Sequence, residues 1–320
     1  MIFPKGRIAG LFCTIATLAG AIYILQKLGT DENISKLSSF LDPRIVFLLL
    51  ILYGLHFFAE PFRWVIYSTL PAFKPAAESS PANKVGRIFA SFNITALLSY
   101  SLPFKLGLPI RLFLLSHSQK LKSTTVIKLM AVDGLFNLFA WFAVSSVLIL
   151  FLPEMFVLLS EYLNFYYVVI AAVFVFSIVS WVLYKKGAQL LKTLKAIPLP
   201  LISLIILTLV IDVFLYGVRH MVLIDVLGID IAAGKIFIIG VVAVFIGIIS
   251  TLPMGLGAYD ASLVALLGLY GIDLELGLIV AFSNRLGMII TSIILGVPSA
   301  FVMLKGEHLA LSDIEKNPGM

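Results

Sequence analysis

Long apolar runs divide the chain, and they restrict its possible folds more than any other feature of the sequence. The runs cover residues 8–25, 45–60, 126–152, 166–184, 199–218, 236–252 and 276–304. A helix needs about 20 mostly apolar residues to cross a hydrocarbon layer about 30 Å thick. Inside that layer backbone groups must bond to one another, which favours helices. The sequence therefore predicts an all-α, polytopic membrane helix bundle in a single transmembrane domain, residues 1–320.

The composition leaves little chain for a soluble domain. Hydrophobic residues make up 61% and charged residues 12%, whereas soluble domains are about 45–50% apolar and about 25% charged. The longest polar connection, residues 71–87, is too short for a catalytic module. The single cysteine, Cys13, excludes an internal disulfide, and the four histidines have no metal-ligand spacing. We expect neither a metal nor a cofactor.

Basic residues in the connections between apolar runs indicate how the chain is oriented. Cytoplasmic loops of membrane proteins carry an excess of Lys and Arg. Such groups flank alternate runs, at residues 5–7, 74–87, 120–122 and 185–195, while the other connections are acidic or mixed. We predict a multi-pass protein of the cell membrane with both termini in the cytoplasm. Because the net charge of +6 arises from these loops, nucleic acid is not an expected partner.

Two apolar regions are interrupted by the same pattern, Leu-Pro-x-x-x-Gly. The first is SLPFKLGLPIRL, with Pro103 and Gly107, and the second is STLPMGLGAYD, with Pro253 and Gly257. Weak internal symmetry of this kind is typical of transporters. Three predicted crossings separate the two regions, so the second would enter from the opposite side. We predict two inverted re-entrant hairpins, residues 86–120 and 234–272, beside about six full spans; two unrelated proline-kinked helices are the alternative.

Interrupted helices at membrane depth are typical of binding sites. Proline removes a backbone donor, and non-helical backbone survives there only when it is buried in protein or lines a water-filled cavity. A half-helix that starts near residue 108 would direct its positive end at the bilayer interior, where it attracts anions. Gly255 and Gly257 would let backbone approach a ligand closely.

Ionisable residues in apolar surroundings are the other candidates for a site, because their burial is costly and they usually mark pathways or partners. They are Glu60, Arg63, Lys105, Arg111, Asp133, Asp212, Asp260 and Arg285. Several have simpler explanations. Glu60 and Arg63 could pair within one helix, and Lys105 and Arg111 could reach the headgroups. Asp260 could stabilise a helix start. The other three could form Asp–Arg bridges, and we expect His56 and His117 to be packing or interfacial residues.

These motifs resemble the lysylphosphatidylglycerol synthase transmembrane, or flippase-like, family. In the first hairpin the family has Leu-Pro-x-x-x-Gly-Glu-x-x-Arg, and this chain has Leu102, Pro103, Gly107 and Arg111, with Leu108 in place of the acid. The next helix tends to have Glu-Arg-x-x-Asp, and Asp133, Gly134 and Asn137 occupy those places. The second hairpin resembles Pro-x-Gly-x-Gly-x-x-Glu through Pro253, Gly255, Gly257 and Asp260. Arg285 and Leu286 resemble an Arg-Leu pair that the family has later in the chain. Arg63 and Trp64 resemble the end of the family's second helix.

The resemblance implies movement of polar lipids between leaflets, such as aminoacylated phospholipids or polyprenyl-phosphate-linked sugars. Larger members fuse this region to a lipid-synthesising domain, which we do not expect here. The expected partner is a membrane lipid with a phosphate-bearing head group, and a second copy of the chain and a separate lipid-synthesising enzyme are further candidates. The predicted substrate-binding residues are Arg63, Lys105, Gly107, Arg111, Asp133, Gly255, Gly257, Asp260 and Arg285.

Two other functions fit the same residues. One is a membrane enzyme acting on a polyprenyl-phosphate lipid, with Asp133, Asp260 and the arginines as its site. However, the sequence has no catalytic triad, nucleotide loop or clustered carboxylate pair. The other is a secondary transporter of a small soluble anion. We therefore predict a lipid flippase that is not an enzyme.

Overall fold

The chain is helical wherever its structure is described. A computed structural model describes residues 42–70, 81–101, 107–151, 197–249 and 257–316. Numbered in chain order within these ranges, the helices are α1 (Pro43–Tyr67), α2 (Pro81–Ser101), α3 (Gly107–Ser118), α4 (Ser123–Ile149), α5 (Leu199–Val226), α6 (Ala233–Ile249), α7 (Ala258–Gly268) and α8 (Leu274–Lys316). The predicted all-α class is confirmed. The predicted helices at 8–25 and 166–184 lie outside the described residues.

Four helices are long and apolar enough to cross a membrane. They are α1, α4, α5 and the Leu274–Leu304 part of α8, while α6 and α7 are apolar but shorter. The protein is therefore a multi-pass helical membrane protein. Two helices continue well beyond their apolar runs: α1 continues past residue 60 to Tyr67, and α5 continues past residue 218 to Val226. The extra length of α5 matters because it places Arg219 within the helix.

Helix starts in the described segments follow local sequence signals. The side chain of Asp42 accepts a 2.8 Å hydrogen bond from the backbone N–H of Arg44, and Pro43 is the first residue of α1. Pro198 precedes α5 and Pro200 lies in its first turn. Proline suits a first turn because its missing N–H has no partner there in any case. These prolines fix where the two central helices begin.

The described helices form two similar sets, α1–α4 and α5–α8. In each set a long helix is followed by one of intermediate length, a short one and another long one. The packing also corresponds. The two first helices, α1 and α5, pack on each other. In the first set α2 packs on α3 and on α8, and in the second set α6 packs on α7 and on α4. This order and packing agree with the predicted repeat. The inverted orientation of the repeats stays a prediction.

Close helix approaches hold the predicted hairpins together. A Cβ atom at Gly107 would lie 1.8 Å from Oγ of Ser99, so the start of α3 lies against the end of α2. A Cβ atom at Gly247 would lie 2.9 Å from Cβ of Tyr259, which brings α6 against α7. The segments with Pro103 and Pro253, residues 102–106 and 250–256, lie outside the described residues. That the pairs are re-entrant remains a prediction.

Candidate functional site

A cavity of about 400 Å³ lies among the described helices, and all eight contribute to its wall. Its wall carries an unusual number of ionisable side chains for a protein of this composition: His56, Glu60, Arg63, Arg111, Asp212, Arg219 and Arg285. Charged groups in a membrane protein typically face such interior cavities and mark a pathway. The contacts of these groups define what the cavity can bind.

Arg111 from α3 pairs with Glu60 from α1. Nη2 of Arg111 lies 3.2 Å from Oε2 of Glu60, and Nη1 makes a second, shorter contact with Oε1. The guanidinium also lies over the ring of Phe92, 4.3 Å from the ring centre. Its buried Nε has no hydrogen-bond partner within the described ranges. Arg111 therefore faces the cavity instead of reaching to the headgroups.

Arg63 from α1 pairs with Asp133 from α4. Nε of Arg63 and the hydroxyl of Tyr67 each donate to Oδ1 of Asp133 over 3.1 Å. Arg63 is only 1% exposed, and no described residue forms a hydrogen bond with its buried Nη1. Pairing between Glu60 and Arg63, one of the explanations considered for the sequence, is therefore wrong, because each bonds to a different helix. The Asp–Arg bridge that was considered as a simpler explanation for Asp133 is present.

Asp260 combines two roles at the start of α7. Its Oδ2 accepts a 3.1 Å hydrogen bond from the backbone N–H of Gly257, so it stabilises the helix start. Its Oδ1 also accepts a 2.7 Å bond from Nε of Arg285, and a second contact joins Nη2 and Oδ2. Gly257 has a φ of 81°, a conformation that glycine adopts readily. The capping and bridging explanations are thus both correct.

Asp212 pairs with a histidine and not with an arginine. Nδ1 of His56 lies 2.6 Å from Oδ1 of Asp212, and Nε2 of the same ring lies 3.1 Å from the hydroxyl of Tyr216. His56 packs on the rings of Phe57 and Tyr216, as expected, and it also bridges α1 and α5 in the cavity wall. The Asp–Arg bridge considered for Asp212 is wrong.

Arg219 was absent from the predicted site because the predicted helix ended at residue 218. It is 1% exposed and lies between two aromatic rings, with Cζ 4.5 Å from the centre of Tyr53 and 4.2 Å from that of Tyr216. Nη1 contacts the sulfur of Met288 at 3.4 Å. Among the described residues, its buried Nε and Nη2 have no hydrogen-bond partner. An arginine within a long apolar helix was the signal that could have identified it.

A chain of neutral hydrogen bonds lies beside Arg219. Nε2 of His220 lies 2.6 Å from the hydroxyl of Tyr259. The amide of Asn284 donates to the same hydroxyl over 2.7 Å, and the hydroxyl of Tyr53 donates to Oδ1 of Asn284 over 3.0 Å. These residues were not predicted as part of the site. The network fixes α1, α5, α7 and α8 relative to one another at the cavity.

The predicted site residues take different places around the cavity. Arg63, Arg111 and Arg285 line it. Asp133 and Asp260 hold two of these arginines as their ion-pair partners. Gly107 and Gly257 are not among the lining residues: Gly107 serves the contact with α2, and Gly257 precedes α7. The remaining two, Lys105 and Gly255, lie outside the described residues.

Metal binding has no visible support in the described part of the chain. Within those ranges no three His, Cys, Asp or Glu side chains are close enough together to hold a metal ion. The described carboxylates of the site each bond to an arginine or a histidine instead. These carboxylates already have basic partners, so the charged groups that remain to meet a ligand are the guanidinium groups.

Together, the fold and the cavity define a multi-pass helical membrane protein with a charged interior site. The family described as the lysylphosphatidylglycerol synthase TM region matches residues 8–296. The chain belongs to this family, as its motifs predict. Neither a search of curated proteins nor a search of solved structures finds a match to it. Membership supports a lipid-related function in the membrane.

Proposed function

We propose that this protein moves a lipid with a phosphate-bearing head group between the leaflets of the cell membrane. The head group passes through the arginine-lined cavity while its acyl or prenyl tails stay in the bilayer. The observation that carries the proposal is the set of buried guanidinium N–H groups without partners in the cavity wall, at Arg63, Arg111 and Arg219. Phosphate oxygens are the natural acceptors for such donors.

The energetic argument concerns the barrier to crossing. A charged head group loses its water when it enters hydrocarbon, and this loss is costly. A cavity whose walls already hold oriented donors replaces part of that hydration. Ion pairs with Asp133, Glu60 and Asp260 hold Arg63, Arg111 and Arg285 in place. Arg63 and Arg111 each keep a buried N–H group that has no hydrogen-bond partner among the described residues. The cavity can therefore lower the barrier without covalent chemistry.

Two similar halves around one cavity support alternating access. In transporters built from repeats, the site lies at the repeat interface and one half moves against the other. Here α1 and α5 begin the two halves, pack on each other, and both contribute arginines to the cavity. We infer that the halves rock about this contact and expose the head group to one leaflet and then the other.

Leaflet exchange in reconstituted vesicles tests the proposal. Vesicles carry phosphatidylglycerol labelled on an acyl chain, and a membrane-impermeant reductant bleaches the label in the outer leaflet. The wild-type protein should make the inner-leaflet label accessible faster than protein-free vesicles do. Arg111→Ala should slow this exchange, while Arg44→Ala, at an exposed residue outside the cavity, should not.

The alternative functions give different results in the same vesicles. A transporter of a small anion would show counterflow of a water-soluble phosphate without lipid exchange. An enzyme acting on a polyprenyl-phosphate lipid would convert a radiolabelled lipid in detergent solution. Wild-type exchange equal to that of protein-free vesicles, for both an anionic and a zwitterionic lipid, would overturn the proposed function.

A further inference from the structure

The arginines of the cavity differ in their partners. Arg63, Arg111 and Arg285 each bond to a carboxylate. Arg219 has no ion-pair partner among the described residues, and the nearby carboxylate of Asp212 is bonded to His56. A buried guanidinium without an anion is unfavourable. Cation–π contacts with Tyr53 and Tyr216 offset part of this cost, but they supply no counter-charge.

The geometry of Arg219 leaves one edge of its guanidinium open. Nη1, at one corner, contacts the sulfur of Met288. Nε and Nη2, which form the side edge of the group, have no hydrogen-bond partner in the part of the chain that the structure describes. The N–H bonds along that edge are parallel, so they can donate to two oxygens of one phosphate. The rings of Tyr53 and Tyr216 hold the guanidinium in place, so the side chain loses little conformational entropy on binding.

A comparison of the two halves explains why this arginine lacks an acid. Arg63 and Arg219 lie equally far from the first residues of α1 and α5. Asp133 and Asn284 lie equally far from the first residues of α4 and α8. Where the first half holds an aspartate for its arginine, the second half has a neutral amide, and that amide bonds to Tyr53 and Tyr259. The second half thus has an arginine at this place and a neutral amide where the first half has an acid.

We propose that Arg219 is the phosphate anchor of the cavity and binds one phosphate ester through Nε and Nη2. The inference rests on the proposed function only for the source of the phosphate, a lipid head group. The same chemistry would bind free phosphate, and the experiment separates the two sources. Asn284 is the position at which an acid would cancel the anchor.

Binding measurements on the full chain in an uncharged detergent test the anchor. The probes are dihexanoyl phosphatidylglycerol, inorganic phosphate, and dioctanoylglycerol, which has no phosphate. The wild type should bind the phospholipid, with about tenfold lower affinity for inorganic phosphate and no binding of dioctanoylglycerol above the detergent background. Equal affinity for inorganic phosphate would support the anchor and assign it to a soluble ligand.

Variants decide whether Arg219 is responsible. Arg219→Gln should weaken phospholipid binding about tenfold or more because two charge-assisted hydrogen bonds are lost, whereas Arg44→Gln should bind as the wild type does. Asn284→Asp should also weaken binding, since it supplies the acid that the second half lacks. Wild-type affinity in Arg219→Gln, or no binding of either phosphate probe by the wild type, would overturn the inference.

Thermal stability separates an anchor from a structural role. Removing an uncompensated buried charge should leave the empty protein as stable as before or raise its melting temperature, so Arg219→Met should not melt lower than the wild type. A large drop in melting temperature would show that the aromatic contacts serve the fold and would overturn the inference. The proposed function is tested separately, by leaflet exchange with the wild-type protein. If Arg219 is not the anchor, another arginine of the cavity could still hold the head group and exchange would still occur.

Discussion

Arg111 and Glu60 are 51 residues apart in sequence, yet both carboxylate oxygens of Glu60 contact the guanidinium of Arg111 across α1 and α3. This ion pair joins the short helix of the first half to its first spanning helix. The side chains are 15% and 35% exposed, so the pair faces the cavity while remaining partly shielded. It makes Arg111 a fixed donor at the cavity wall.

A double-mutant cycle should measure this pair. Glu60→Gln and Arg111→Gln each leave one charge without its partner, and each should lower the stability of the protein by about 1–2 kcal/mol, less than for a deeply buried pair. The double variant should lose less than the sum of the two. Melting temperatures in detergent would show the coupling, and strictly additive losses would contradict a direct interaction.

Breaking the Arg63–Asp133 pair should lower the stability of the protein more than breaking the Arg111–Glu60 pair. Because Arg63 is almost completely buried, Asp133→Asn leaves an unpaired charge in the interior and should cost about 3–5 kcal/mol. Tyr67→Phe removes only one neutral donor to the same carboxylate and should cost about 1 kcal/mol. Chemical or thermal unfolding in detergent compares the two, and equal losses would argue against a charge effect.

His56 and Asp212 should depend on each other. His56→Leu removes the 2.6 Å contact and leaves the buried carboxylate of Asp212 without that partner, so it should lower the melting temperature. Asp212→Asn in the same chain should recover part of the loss, because no charge then remains to be compensated. Melting curves of the two single variants and the double variant test this. A double variant that melts below both singles would contradict the pairing.

A side chain at Gly107 would force Ser99 on α2 to shift. Alanine there would place Cβ 1.8 Å from Oγ of Ser99, so Gly107→Ala should lower the melting temperature, and adding Ser99→Gly should restore part of it. Gly54→Ala is the matched control, since a Cβ atom at Gly54 meets no atom within 4 Å. Equal behaviour of the two alanine variants would show that α2 and α3 are not packed as described.

The sequence predicts the spanning helices well because membrane thickness fixes their length. Runs 45–60, 126–152, 199–218 and 276–304 each fall on a described helix, namely α1, α4, α5 and α8. Arg63, Arg111 and Arg285 could also be predicted as site residues, because a charge in apolar surroundings is costly. All three line the cavity.

The sequence could not predict which acidic side chain pairs with which basic one, because these pairs depend on how distant helices pack. Sequence spacing suggested Glu60 with Arg63, but the structure joins each to another helix. Arg219 was missed for a local reason: apolar periodicity does not mark a helix end sharply, and the apolar run was taken to end at 218, one residue before it. His56 was undervalued because its partner Asp212 is 156 residues away.

The most direct test of the central claim is whether filling the cavity stops lipid exchange. Ala96 lines the cavity, whereas Ala143 is exposed on α4, outside the cavity wall. In the vesicle assay, with both variants first shown to elute and melt as folded protein, Ala96→Trp should exchange phosphatidylglycerol no faster than protein-free vesicles, and Ala143→Trp should match the wild type. Exchange by Ala96→Trp at the wild-type rate would contradict passage of the head group through this cavity.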